Sequence, residues 1–124
     1  MVVRGKLQAI GRIGEEHAVE HVIGLGWQVL DRNWRCNEGE LDIIAHDPDA
    51  GALVFIEVQC RSGLGFGEPL EAVTWRKRRK LRQLCLLWLA EHRIRVDCLR
   101  IDAIGVLLRP GEKPAVNHVR GIEE

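Results

Sequence analysis

Apolar residues recur at helical spacing through the first part of the chain. Leu7, Ile10, Ala18, Val22 and Leu25 mark one face, with Ile13, Val19 and Ile23 beside it. The pattern predicts a helix over 7–25. Gly26 is placed to close it as a left-handed terminal residue, while Gly11 and Gly14 weaken its first turns.

Beyond Gly26 the period shortens. WQVLDR at 27–32, LDIIAH at 41–46 and LVFIEVQCR at 53–61 read as strands, the third most strongly through its β-branched and aromatic content. Cys36-Asn37-Glu38-Gly39 and Asp47-Pro48-Asp49-Ala50-Gly51 are turn chemistry, and connections so short predict an antiparallel meander. A second helix is predicted over 74–92, with Thr74 able to cap it. Its first half is basic and its second half, LCLLWLA, almost wholly apolar, so one end projects charge and the other is buried. One longer strand or two follow over 96–108, reached by a helical crossover that permits a parallel neighbour, and 117–122 offers a short edge strand. The expected architecture is α/β, a mixed sheet in the order αβββαβ with helices packed against it, in one domain over 1–124.

Length and composition agree with that reading, since 124 residues suffice for one domain with a real core. No apolar run reaches the length of a membrane-spanning helix, and Met-Val-Val-Arg-Gly-Lys at the start lacks the features of a secretory signal. The cytoplasm is the expected compartment. Cys36, Cys60, Cys85 and Cys98 are scattered without metal-ligand spacing and are expected to be reduced and mostly buried. The formal net charge of zero excludes little. Its distribution matters more: Arg76, Lys77, Arg78, Arg79, Lys80 and Arg82 crowd together, while acids collect over 38–49 and at the C-terminus.

Strand periodicity adds candidate chemistry. Glu40 and Asp42 share one face of the second strand, and Glu57, Gln59 and Arg61 one face of the third. If these strands pair, Asp42 and Glu57 meet inside apolar runs. Two carboxylates about 5 Å apart repel by roughly 3 kcal/mol at an effective dielectric near 20. A shared proton, a cationic side chain such as Arg61, or a metal would relieve this, and oxygen ligands of this type suit Mg²⁺ or Mn²⁺. Spacing alone leaves these alternatives open.

Three strings carry a wider pattern: Gly14-Glu15-x-x-Ala18, Gly39-Glu40-Leu41-Asp42-Ile43-Ile44-Ala45 and Phe55-Ile56-Glu57-Val58-Gln59-Cys60-Arg61. Together with Arg32-Asn33, Glu71-Ala72-Val73, Lys77 and Arg95-Val96-Asp97 they resemble the YraN family, within the PD-(D/E)XK, restriction-endonuclease-like superfamily that includes archaeal Holliday-junction resolvases. The resemblance implies a restriction-endonuclease-like fold and a Mg²⁺- or Mn²⁺-dependent endonuclease acting on DNA, including structured or branched DNA. It implies Asp42 and Glu57 as metal ligands, the Val58 carbonyl as a third, and Glu15 as a helix carboxylate approaching the same ion. Glu40 belongs to the string without a clear role. Arg61 and residues 63–67 would lie toward the nucleic-acid backbone. The superfamily usually places lysine where this chain has Gln59, which hydrogen-bonds water but brings neither positive charge nor a practical general base. Lys77 is the candidate replacement.

Competing readings stand beside this one. A non-catalytic nucleic-acid binder on the same fold would account for Gln59, and an assembly factor would use the apolar half of the second helix for a homodimer or other partner. Within the basic run, Arg76, Lys77, Arg79 and Lys80 are candidate phosphate contacts, the alternative being a solvated helix end. His17 and His21, four residues apart, are expected on a solvated helix face rather than on zinc. His46 is expected at a strand end. The four tryptophans are expected in packing, with Trp75 as the one candidate for stacking on a base.

Overall fold

The computed structural model of the chain describes residues 3–62 and 75–123, with side chains over 9–62 and 76–123. Its elements are α1 (Val3–Gly24), β1 (Gln28–Cys36), β2 (Gly39–Asp47), β3 (Ala52–Ser62), α2 (Trp75–His92), β4 (Leu99–Leu108) and β5 (Ala115–Val119). The five strands form one sheet in the order β1-β2-β3-β4-β5. The first three are an antiparallel meander, β3 and β4 are parallel, and β5 returns antiparallel on β4. The predicted α/β class and mixed sheet hold. Thr74, the segment Glu71-Ala72-Val73, residues 63–67 and the Trp75 side chain lie outside what is described.

Two cores lie against opposite faces of this sheet. Ala18, Val22 and Trp27 from α1 and its exit pack on Ile43, Ala45, Val54, Ile56, Ile104 and Val106. Leu81, Leu84, Cys85 and Trp88 of α2 pack on Leu41, Ile44, Leu53, Phe55 and Ile101. Covering both faces explains why Ala52 to Ile56 are all buried in a continuous apolar run. Trp88 meets Phe55 edge to face at 5.6 Å and donates its indole N–H to Asp31 at 2.9 Å. None of the described helices is long and apolar enough to cross a membrane.

The sequence reading placed the end of β1 at Arg32, but the strand runs on to Cys36. The reason is local. Asn33 adopts a φ of 53°, the left-handed region asparagine tolerates, so the pleat resets without ending the pairing. Asp31 and Trp34 therefore both turn toward α2, bonding Trp88 and Glu91, while Arg32 turns toward α1. The cysteines also differ from expectation. All four are free, but only Cys85 is buried; Cys36 and Cys60 are half-buried and Cys98 is exposed.

Candidate metal and nucleic-acid site

The β2–β3 ladder pairs Asp47 with Ala52 through to Ile43 with Ile56 and stops there. Asp42 and Glu57, the next positions, lie where the strands leave the ladder. Asp42 uses the gap to accept the Val58 backbone N–H on Oδ2 at 2.8 Å, which turns the Val58 peptide toward the same place. The two acids thus stand on adjoining strands, as the strand pairing expected from the sequence requires.

Two motif glycines have packing reasons. A Cβ on Gly14 would lie 2.5 Å from Cys60 Sγ and 2.6 Å from its Cβ, so only glycine lets α1 descend onto β3 at this level. That descent carries the neighbouring Glu15, 13% exposed, into the cleft that Asp42 lines. Gly14→Ala is expected to destabilise the fold by about 2 kcal/mol through overpacking, measured by urea unfolding. An unchanged midpoint would show that Cys60 yields freely. Gly39 has φ 149°, and Leu84 of α2 lies 3.3 Å from where its Cβ would be, so the turn into Glu40 and Asp42 is pressed beneath α2.

The cluster is acidic and crowded. Burial first, then the neighbouring Glu57 carboxylate, push Asp42 up to about 7; Glu15 and Glu40 add to the rise and the Val58 N–H opposes it. Counter-ions stand around it. Lys77 Nζ lies 2.7 Å from Glu57 Oε1, and Arg32 Nη2 lies 3.4 Å from Glu15 and 2.6 Å from Glu16. Arg35 pairs with Glu40 at 3.1 Å. The cation on Glu57 is therefore Lys77 rather than Arg61, which is exposed and donates to the Cys60 carbonyl. Gln59 is 5% exposed, and neither end of its amide has a partner among the described residues.

Asp42 and Glu40 line two clefts at once. The larger, about 1150 Å³, runs between α1 and the β1–β2 edge and carries Arg12, Arg32 and Arg35. The smaller, about 300 Å³, lies on the α2 side with Glu57, Lys77 and Lys80. Sequence reasoning missed Arg12 and Arg35, because nothing in their spacing tells that α1 and β1 form opposite walls of one cleft.

The basic run of α2 divides. Arg78 donates to the Ile122 carbonyl at 2.8 Å and Arg82 pairs with Glu123 at 2.9 Å, so these two hold the C-terminal segment. Lys77 and Lys80 face the small cleft, Lys80 with Glu38 at 3.4 Å. Arg76 and Arg79 are exposed on the same helix.

Two histidines fall differently. His46 is exposed and pairs Leu53 near the end of β2 as expected, without joining the site. His21 does not lie on a solvated face: its Nε2 is 3.0 Å from His118 Nδ1, and His118 Nε2 is 2.8 Å from Asp102. His17 pairs loosely with Glu20 at 3.7 Å.

The donor set at Asp42, Glu57, Glu15 and the Val58 carbonyl is all hard oxygen, which fits Mg²⁺ or Mn²⁺ in chemistry. As the side chains stand, no three such ligands among the described residues converge tightly enough to hold an ion. Lys77 and Arg32 occupy the positions of counter-ions instead.

The comparisons agree on kinship. The model of the family described as "Uncharacterised protein family UPF0102" matches residues 14–106, from Gly14 to Val106 on β4. A UPF0102 protein of Nocardia farcinica is 46% identical over 118 residues, spanning 95% of this chain and 91% of that protein. One from Mycolicibacterium smegmatis is 50% identical over 113 residues, 91% of each. Another from Acidothermus cellulolyticus is 48% identical, covering 92% of each chain. The resemblance carried by Gly14-Glu15, Gly39-Glu40-x-Asp42 and Glu57-x-Gln59 is thereby borne out: the chain belongs to UPF0102, the YraN family.

Proposed function

We propose that this protein is a metal-dependent nuclease-like enzyme that hydrolyses phosphodiester bonds in DNA, with structured or branched DNA as its expected substrate. The observation that carries the reading is the position of Asp42. A recessed carboxylate, raised by burial and by three neighbouring acids, stands where two strands part and where two clefts join, each lined by acids with cations among them. A fold with no use for a bound cation has little reason to gather those charges.

Asp42 and Glu57 would hold Mg²⁺ or Mn²⁺ with the Val58 carbonyl, and Glu15 would reach it directly or through water. Such an ion supplies polarisation of a phosphate oxygen and a more acidic water for in-line attack. The protein's own groups do the positioning. Arg12, Arg32 and Arg35 line the cleft on one side of Asp42, and Lys77 and Lys80 the cleft on the other, where they would meet a backbone. Arg76, Arg79 and Arg61 would extend the phosphate contacts outward. The Lys77 ammonium, already at Glu57, brings the positive charge that Gln59 lacks. The buried Gln59 amide, with donor and acceptor both unused among the described residues, is suited to orienting a water.

That same amide favours a second reading, a nucleic-acid binder without efficient chemistry. Cleavage of duplex, single-stranded and four-way-junction DNA with Mn²⁺ separates the two. The expected result is cleavage by the wild type and a loss on the order of 10³-fold in Asp42→Ala. DNA retention without cleavage by either protein would favour the binder.

A further inference from the structure

We propose that Lys77 and Arg32 are exchangeable counter-ions, which couple metal loading of the acid cluster to the arrival of a nucleic-acid backbone. The inference rests on the metal-site reading above and adds regulation to it. Its basis is the layering of charge. Glu57 and Glu15 are recessed, each 13% exposed, whereas their partners Lys77 and Arg32 are 42% and 35% exposed. Glu57 and Glu15 lie inward of these cations, while Glu16, the closer partner of Arg32, is 58% exposed and lies outward with it.

Each cation is poised to change partner. Lys77 holds Glu57 through one point charge on a flexible stem at the mouth of the small cleft. Arg32 spans Glu16 closely and Glu15 more loosely, and its buried Nε has no acceptor among the described residues. On the wall of the large cleft a partly exposed guanidinium that meets both acids through one terminal nitrogen has capacity for a phosphate.

While Lys77 occupies Glu57, one oxygen of that carboxylate is engaged and a positive charge stands against an incoming ion. A phosphate that draws Lys77 and Arg32 outward takes these counter-ions from Glu57 and Glu15, and the need for a divalent cation rises. Linkage makes the effect mutual: whatever factor the polyanion contributes to metal affinity, the metal contributes to polyanion affinity. A nuclease so arranged loads its ion when substrate is present.

Two measurements on the full chain test this. In the first, Mn²⁺ is titrated calorimetrically into metal-free wild type, Lys77→Met and Lys77→Gln, two variants chosen so that one misfolded protein does not decide the result. Removing the competing ammonium is expected to tighten Mn²⁺ binding about tenfold in both. In the second, fluorescence anisotropy follows a phosphorothioate duplex with and without Mn²⁺, and Asp42→Asn reports the ionic effect on DNA alone. Mn²⁺ is expected to tighten duplex binding by the wild type about tenfold beyond that blank, and to give no such gain with Lys77→Met. Equal Mn²⁺ affinity in wild type and both variants would overturn the coupling while the metal site stands. Absence of Mn²⁺ binding from all three proteins would remove the metal-site reading itself.

Discussion

Metal-free Asp42→Asn is expected to be more stable than the wild type at pH 8, by about 2 kcal/mol, and unable to bind Mn²⁺. The sign follows from the Asp42 carboxyl, raised from 3.8 to about 7 by burial and by Glu57. Between those values the folded state holds a proton that the unfolded chain has released, so wild-type stability falls as pH rises through that window and levels off above it. A rise of that size sets a ceiling of about 4 kcal/mol, which side-chain relaxation in a cleft open to water lowers. Asparagine has no such titration, yet its carbonyl can still accept the Val58 N–H, so the gain is not confounded by a lost hydrogen bond. Urea unfolding in chelator at pH 8 should show the gap, and the gap should narrow as pH is lowered toward 4. Adding Mn²⁺ at about 100 times its dissociation constant should return about 2.7 kcal/mol to the wild type and nothing to the variant. A wild type as stable as Asp42→Asn at every pH would mean that the cluster is already neutralised and has no need of an ion.

How far the sequence foretold this arrangement differs between its parts. The run LVFIEVQCR announces a central strand because burial on both faces leaves no room for alternation, and it is the centre of the sheet. Glu57 inside that run, and Asp42 inside LDIIAH, were visible because charge in an apolar strand needs a reason. Their meeting followed from a short turn that fixes the register. Counter-ions were harder. Arg61, the cation nearest in sequence, proved exposed, while Lys77 reaches Glu57 from a helix on the covering layer, 20 residues on. Sequence periodicity assigns faces within one element and does not rank contacts between elements. The pleat reset at Asn33 was invisible for a related reason: one left-handed residue moves Trp34 to the side of Asp31 without altering composition. Asp102, within the buried stretch of β4, carried the same kind of signal as Glu57. Its partner His118 is reached only once β5 has folded back, and His21, 97 residues from His118, only once α1 covers the sheet.

Asp102→Ala is expected to lose about 3–5 kcal/mol, more than the change expected of Gly14→Ala or Asp42→Asn, because it strips the acceptor from a buried polar network. Asp102 is fully buried and accepts four hydrogen bonds: from Arg100 Nε at 2.8 Å and Nη2 at 3.1 Å, from His118 Nε2 at 2.8 Å and from the Gly121 N–H at 3.0 Å. Arg100 goes on to Asp47, itself 1% exposed, at 3.0 Å, and both Arg100 and Arg120 lie 5.2 Å from the centre of the Trp27 ring. Burial alone would raise the Asp102 carboxyl, but the bonds from His118, Arg100 and Gly121 together hold it below the ordinary carboxylate value. The sign is therefore opposite to that of Asp42. Stability from Asp102 is present above the unfolded value and is lost as pH falls through the lower folded one, so the wild type should lose this part only in strong acid. In the variant the Arg100 charge keeps one carboxylate of two, and the Gly121 N–H and His118 Nε2–H lose their acceptor. His118 then loosens its hold on His21, whose imidazole burial, followed by His118 and Arg120, keeps on the neutral side. Since β5 meets β4 through only Ala115 to Val119, the loss should appear first as early exchange of the β5 amides, followed by a lower urea midpoint at pH 7. A midpoint within about 1 kcal/mol of wild type would mean that water reaches these groups and that the network stabilises the fold no more than a surface ion pair does.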